Sequence, residues 1–268
     1  MNREEAYLYD LILTPGWRER YDRLIDQEFS FPKTGRVLDL EAGTGGFAID
    51  LAFRGGPMVE VFGVTADPEL QTIAAEKARI RKTANVSFFL SIANLLGSST
   101  QPFDVVILDR TLSPWRQPVV DLIEAIGLVK PGGTFVCKLV SRGSFDEFFS
   151  IFWEGLYELG LAEYSLELEK LIQEAPDLEV FQREAGLAGF NRLRSAVSRE
   201  VLTFADAQEF FSSPLIRLPF LDQWLEIVPD EKSRAAVQSK LASLIDRERQ
   251  GRDFEVSIRA SLLIARRP

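Results

Sequence analysis

Apolar residues recur along the chain in short unbroken runs, separated by stretches in which they return at helical spacing. The runs RVLDL (36–40), VEVFGVT (59–65), NVSFFL (85–90), FDVVIL (103–108) and TFVCKLV (134–140) are near-continuous. Strands of that kind are buried on both faces, as in a parallel sheet sandwiched between helices. Helical patterns lie between them. Phe47, Leu51 and Ala52 form an apolar face after a glycine-rich turn. PELQTIAAEKARIRK opens on Pro68 with Asp67 placed as its N-cap, and VVDLIEAIGLV precedes the turn KPGG. This alternation predicts an α/β fold built from βα units. Residues 177–203 add a helix, an AGL turn and a sixth strand, and 255–265 read as a terminal antiparallel strand.

Three stretches fall outside that pattern. Residues 4–29 read as one or two helices, with Thr14, Pro15 and Gly16 marking a break, and carry Tyr7, Tyr9, Trp17 and Tyr21. Two readings are open: a helix packed on the sheet through its apolar stripe, or a lid over a site. Residues 144–176 hold Phe145, Phe148, Phe149, Phe152, Trp153 and Tyr157, and residues 205–252 hold Phe210, Phe211, Phe220 and Trp224. These insertions are expected to form one helical cap over the C-terminal edge of the sheet. Their aromatics suit both core packing and the wall of an apolar pocket.

Composition narrows the chemistry. The 268 residues carry a net charge of −9, which argues against a broad nucleic-acid surface. No histidine is present, which removes the commonest general base and metal ligand. The single cysteine, Cys137, forms no internal disulfide and is expected to be a small buried apolar residue; no Cys/His metal site can be written. The start MNREEAYLYD lacks a signal-peptide pattern and no apolar run reaches membrane-span length, so a cytoplasmic protein is expected.

The most specific stretch is VLDLEAGTGGFAIDLA at 37–52: a strand, a glycine turn, then a helix whose first amides are free to meet a ligand. It resembles motif I of the class I S-adenosylmethionine (SAM) methyltransferases. GVTADPELQTIAAEKA, NVSFFLSIANLL, FDVVILD and LVKPGGTFVCKLV follow in the order and spacing of that family's next motifs. The resemblance covers 34–142 closely. It implies a Rossmann-like, seven-stranded mixed sheet in the order 3-2-1-4-5-7-6, helices on both faces, and the helical cap from the two insertions. Residues 1–33 would be an N-terminal helical lid and 34–268 the class I methyltransferase domain, with cap insertions at 144–176 and 205–252.

The resemblance also implies a cofactor site for SAM, with S-adenosylhomocysteine as product. Asp39, Ala42, Gly43, Thr44 and Gly45 would meet the methionyl part, Thr65, Ala66 and Asp67 the ribose, and Ile92, Ala93 and Asn94 the adenine. Asp109 and Arg110 end the fourth strand at the edge where ligands collect in such sheets. Three positions depart from the family. Glu41 stands where glycine is usual, and its carboxylate is expected to compete with the cofactor's own, so that its removal tightens binding. Thr65 replaces a ribose-binding acid, and Asp67 has its helix cap to make. Ile92 replaces an adenine-binding aspartate. Each lost hydrogen bond would cost about 0.5–1.5 kcal/mol. Trp17, Tyr21 and Trp115 are candidate substrate contacts.

The function implied is methyl transfer to a small-molecule acceptor. Asp109 and Lys138 are the candidate catalytic groups, though Lys138 also reads as a lysine reaching solvent past an apolar stem. Two other readings stand beside it. GTFVCKLVSRGSFDEFF is similar to the fifth-strand region of heat-shock-type ribosomal RNA 2′-O methyltransferases, whose Lys-Asp-Lys-Glu tetrad Asp109, Lys138 and loosely Glu200 would match. The first lysine has no clear counterpart, Arg23 and Lys33 lying nearby in sequence. Alternatively, the departures at Glu41, Thr65 and Ile92 suit a methyltransferase-like binding protein without catalysis.

Overall fold

The computed structural model describes residues 1–98, 102–113 and 120–268, with 98 and 120–123 described by backbone alone. Seven strands form one sheet in the order β3-β2-β1-β4-β5-β7-β6. They are β1 (Gly35–Leu40), β2 (Val59–Val64), β3 (Val86–Phe89), β4 (Phe103–Asp109), β5 (Val129–Val140), β6 (Asn191–Phe204) and β7 (Phe254–Arg266). The first five are parallel, and β7 runs antiparallel to both β5 and β6. The sheet is the one the apolar runs imply, in the expected order.

Helices cover both faces. In chain order they are α1 (Arg3–Leu8), α2 (Glu19–Glu28), α3 (Gly46–Gly55), α4 (Pro68–Ile80), α5 (Ile92–Ser98), α6 (Val120–Leu128), α7 (Asp146–Glu158), α8 (Ser165–Glu174), α9 (Leu178–Leu187), α10 (Ala207–Ser212), α11 (Pro214–Ile216), α12 (Asp222–Leu225) and α13 (Glu231–Glu248). Side chains alternate along each strand, so two cores form. Leu38, Val106, Phe135 and Cys137 face α5, α6 and α9 through Leu95, Ala125, Phe181 and Ala185. Val37, Val105, Ile107, Val136 and Val140 face α2, α3 and α7 through Tyr21, Leu51 and Phe148.

The N-terminal helices differ from the sequence expectation. No break occurs at Thr14–Gly16. Tyr9–Arg18 is a π-helical stretch that joins α1 to α2 and contains Pro15. Proline has no N–H to give and its ring strikes the carbonyl one α-helical turn back, so widening the turn keeps the helix continuous. The Thr14 hydroxyl donates to the Tyr9 carbonyl at 3.3 Å inside this turn.

The strands β6 and β7 pair over nearly their whole length, whereas β5 accompanies β7 only as far as Val140 opposite Ala260. The remainder projects as a two-stranded ribbon. Helices from both insertions pack on it and on one another: Phe148 lies 5.0 Å from Phe210 and 5.0 Å from Trp224, and Phe210 lies 5.3 Å from Phe254 of β7. No helix among the described residues is long and apolar enough to cross a membrane.

Candidate functional site

Register decides which charges meet at the C-terminal edge of the sheet. Asp109 ends β4 and is the direct partner of Lys138 in β5, while Asp39 partners Ile107, two residues before Asp109. With a side-chain period of two, Asp39, Asp109 and Lys138 all emerge on the face that carries Val37, Ile107 and Val136. A polar island therefore sits at the end of an apolar column, and α2 covers it. Asp39 is 2% exposed, Asp109 2% and Lys138 1%. The reading of Lys138 as a lysine that reaches solvent is corrected: α2 lies across its path, and its ammonium pairs with Asp109 at 2.8 Å and Asp22 at 2.9 Å. It also stands 5.0 Å from the centre of the Phe47 ring.

A second cation enters from the π-helical stretch. The Arg18 guanidinium donates to Asp109 Oδ2 from Nε at 3.1 Å and from Nη2 at 2.8 Å, and to the Glu41 carbonyl. Thr111 donates to the other oxygen of Asp109 from its hydroxyl at 2.6 Å and its amide at 3.0 Å. Asp109 is thus saturated. Burial alone would raise its pKa, but Arg18 and Lys138 win and hold it well below the usual carboxylate range. Burial opposes the charges of Lys138 and Arg18 in turn, and Asp109 overrides that, keeping both firmly protonated.

Asp39 differs. Its Oδ1 is buried without a hydrogen-bond partner. Burial pushes its pKa up to about 7, against the pull of Lys138 and Arg18.

The turn after β1 is left-handed at Glu41 (φ 64°), Gly43 (φ 57°) and Gly45 (φ 73°). Glycine takes that conformation without strain; glutamate does not. Glu41 is exposed. Ala42 is fixed by its amide on the Val64 carbonyl at 2.8 Å. Thr44 is buried, and its hydroxyl donates to Asp10 at 2.6 Å, which also holds Lys77 at 2.5 Å. A Cβ on Gly43 would strike Arg18 Nη1 and the Tyr9 hydroxyl. A Cβ on Gly45 would lie 2.5 Å from the Phe88 ring, so the open face of that glycine receives an aromatic side chain of β3.

The other sequence candidates fall around this turn. Thr65 is buried at the end of β2 and its amide meets the Phe89 carbonyl at 2.9 Å. Ala66 is exposed. Asp67 caps α4, accepting from the amides of Glu69 at 2.9 Å and Leu70 at 3.2 Å. Ile92 packs half-buried on the second core, while Ala93 and Asn94 are exposed and Asn94 is bonded to Ser91. Arg110 is half-buried, its amide on the Lys138 carbonyl. Trp17 and Tyr21 are fully buried in the aromatic core, Trp17 stacked on Phe145 at 6.2 Å and tilted on Phe220 at 5.0 Å. Trp115 lies outside the described residues. Glu200 does not join Lys138 and Asp109: it pairs with Arg20 at 3.0 Å and accepts from Ser198 at 3.0 Å.

Sequence reasoning missed Arg18, Asp22 and Thr111. Arg18 and Asp22 stand one helical turn apart beside the stripe Leu13, Trp17, Tyr21 and Leu24, which is buried. A charged pair bordering a buried stripe was the available signal.

Comparison with known proteins places this geometry. The family model described as a methyltransferase domain matches residues 32–175. A demethylmenaquinone methyltransferase of Lactococcus lactis is 27% identical over 164 residues, 58% of this chain and 65% of that protein. One from Geobacillus kaustophilus is 28% identical over 137 residues, 51% of this chain and 57% of that protein. The chain thus spans less than two thirds of the length of these curated relatives. Among solved structures, the YcgJ protein of Bacillus subtilis superposes with a TM-score of 0.57 at 17% identity, covering 93% of this chain and 98% of that one. A SAM-dependent methyltransferase of Thiobacillus denitrificans in complex with S-adenosylhomocysteine gives 0.54 at 16% identity, with 98% of each chain covered. At those identities the structures speak for the fold alone.

Proposed function

The chain belongs to the class I SAM-dependent methyltransferase family, and from that premise we propose that it transfers the methyl group of SAM to a small-molecule acceptor. The observation that carries the reading is the buried, unpaired Oδ1 of Asp39 beside the left-handed turn at Gly43 and Gly45. A carboxylate oxygen in that position fits an ammonium group, and the first amides of α3 fit a carboxylate. The donors and acceptors therefore suit the amino-acid end of the cofactor. Thr65 would serve the ribose, and Ile92 with Ala93 the adenine.

When bound, SAM supplies an activated methyl group, and the task left to the chain is alignment. Asp109 and Lys138 serve that task as fixed charges. Each is buried and multiply paired, and neither exchanges a proton near neutral pH. The acceptor in this reading presents an atom already free of its proton, or gives that proton to a group outside the buried cluster. Residues 1–33 would act as the lid, and 144–176 with 205–252 as the cap whose aromatic side meets the acceptor near Trp17 and Tyr21. Demethylmenaquinone, named for the relatives, is a first acceptor to assay.

Calorimetric titration with SAM and S-adenosylhomocysteine tests the reading. Dissociation constants between about 1 μM and 1 mM are expected, the range in which enzymes hold their substrates. Absence of heat for both ligands through that range would overturn it.

A further inference from the structure

We propose that Arg18 is a latch: its guanidinium holds the N-terminal segment shut over the glycine turn, and SAM enters only after that contact opens. The inference rests on the methyltransferase reading above. Three observations carry it. Arg18 bridges Asp109 and the Glu41 carbonyl directly across Gly43, where a Cβ would collide with Nη1. The cavity left among Thr14, Arg18, Asp39, Thr44, Phe47 and Lys138 is about 10 Å³, room for one water at most. A cofactor lodged against Asp39 cannot share that space with the guanidinium. Finally, a groove of about 600 Å³ lined by Asp10, Asp22 and Lys77 meets the closed cavity at Thr14, Gly46 and Phe47, which gives an opened segment a route for entry.

The contact is built to be broken on one side only. When Arg18 leaves, Asp109 keeps Lys138, the Thr111 hydroxyl and the Thr111 amide. Arg18 moves toward water, where a guanidinium is at ease. The same segment is also tied by Asp10 on the Thr44 hydroxyl and Lys77, by Asp22 on Lys138 and by Arg20 on Glu200, none of which crosses Gly43 as Arg18 does. Its π-helical backbone around Pro15 holds it by a poorer ladder than an α-helix would.

A latch taxes every ligand equally, because the apparent dissociation constant is the intrinsic one divided by the open fraction. Arg18→Met removes the ion pair and keeps the apolar stem. The expected result is tighter binding of SAM, S-adenosylhomocysteine and the amine analogue sinefungin by one common factor, about tenfold or more. In the wild-type protein the rate of the tryptophan emission change, to which buried Trp17 contributes, should level off at high ligand at a value shared by all three ligands. That plateau is the opening rate, and it is read without any variant. Weaker binding by Arg18→Met would make Arg18 a cofactor contact and sink the latch, as would unequal changes among the ligands. A wild-type rate that rises linearly with ligand throughout would sink it too. If no ligand binds either protein, the methyltransferase reading falls and takes the latch with it.

Discussion

Asp39 links proton uptake to folding. In an unfolded chain its carboxyl loses its proton near pH 3.9; in the native protein burial defers this to about 7. Between those values the native state binds a proton that the unfolded state has released, so this group's contribution to stability falls as pH rises from about 4 to about 7 and is flat above. The ionised form costs on the order of 4 kcal/mol there. Asp39→Asn imitates the protonated form. It is expected to raise stability over wild type by about 1 kcal/mol at pH 5 and by about 4 kcal/mol at pH 8, measured by urea unfolding at both values. A difference between the two proteins that does not vary with pH would refute this. Glu41, in the turn that follows, carries backbone strain. Its side chain lies at the surface, so the expected effect of Glu41→Gly moves from cofactor affinity to the turn itself: a gain of about 1 kcal/mol from relief of φ 64°, read from the denaturation midpoint.

Among the elements, α7 shows how packing overrides local preference. Phe145 precedes it with φ 63°, an uncommon conformation for a bulky side chain, and is fully buried between Trp17, Phe220 and Trp224. Phe145→Ala is expected to cost about 3–5 kcal/mol. Phe145→Gly removes the same ring yet also removes the strain, so it should be the more stable of the two by about 1 kcal/mol, the reverse of the usual order. Equilibrium unfolding of both variants decides it. The five parallel strands were legible in the sequence because each contains a run of apolar residues; β6, largely polar and exposed, is no such run. The charge cluster was legible only by halves. Asp39, Asp109 and Lys138 lie in motif strands and were found. Arg18 and Asp22 reach them from a helix far away in sequence, and no local pattern states that α2 brings Asp22 onto Lys138. The same gap explains the misreading of Lys138, since a lysine in an apolar strand looks like one that escapes to water until the covering helix is known. Pro15 misled in another way: proline ordinarily ends an α-helix, and a π-helical turn absorbed it.

Across the whole molecule, the N-terminal segment, the ribbon of β6 and β7, and the insertion helices share one core. Arg20 ties the segment to the ribbon through Glu200 and the Val201 carbonyl, and Trp17 seats the segment against Phe145 and Phe220. Trp17→Ala is expected to loosen that seat: a loss of about 3–5 kcal/mol in global stability if segment and core unfold together, and faster amide exchange in 9–28 than in the sheet. Exchange that rises equally everywhere would show that the segment has no separate mobility.

The seating of Trp17 has a kinetic meaning. Its ring is wedged between residues of the insertion helices while Arg18, the next residue, reaches across the glycine turn. If Arg18 is the latch proposed above, one displacement of the segment uncovers both the proposed cofactor place and the aromatic wall beside it. Two substrates served by a single door are taken in turn, the deeper one first. Steady-state rates should then follow a compulsory order: S-adenosylhomocysteine competes with SAM at every acceptor concentration, and a dead-end acceptor analogue inhibits uncompetitively against SAM. An analogue that competes with SAM instead would mean that the two places open independently.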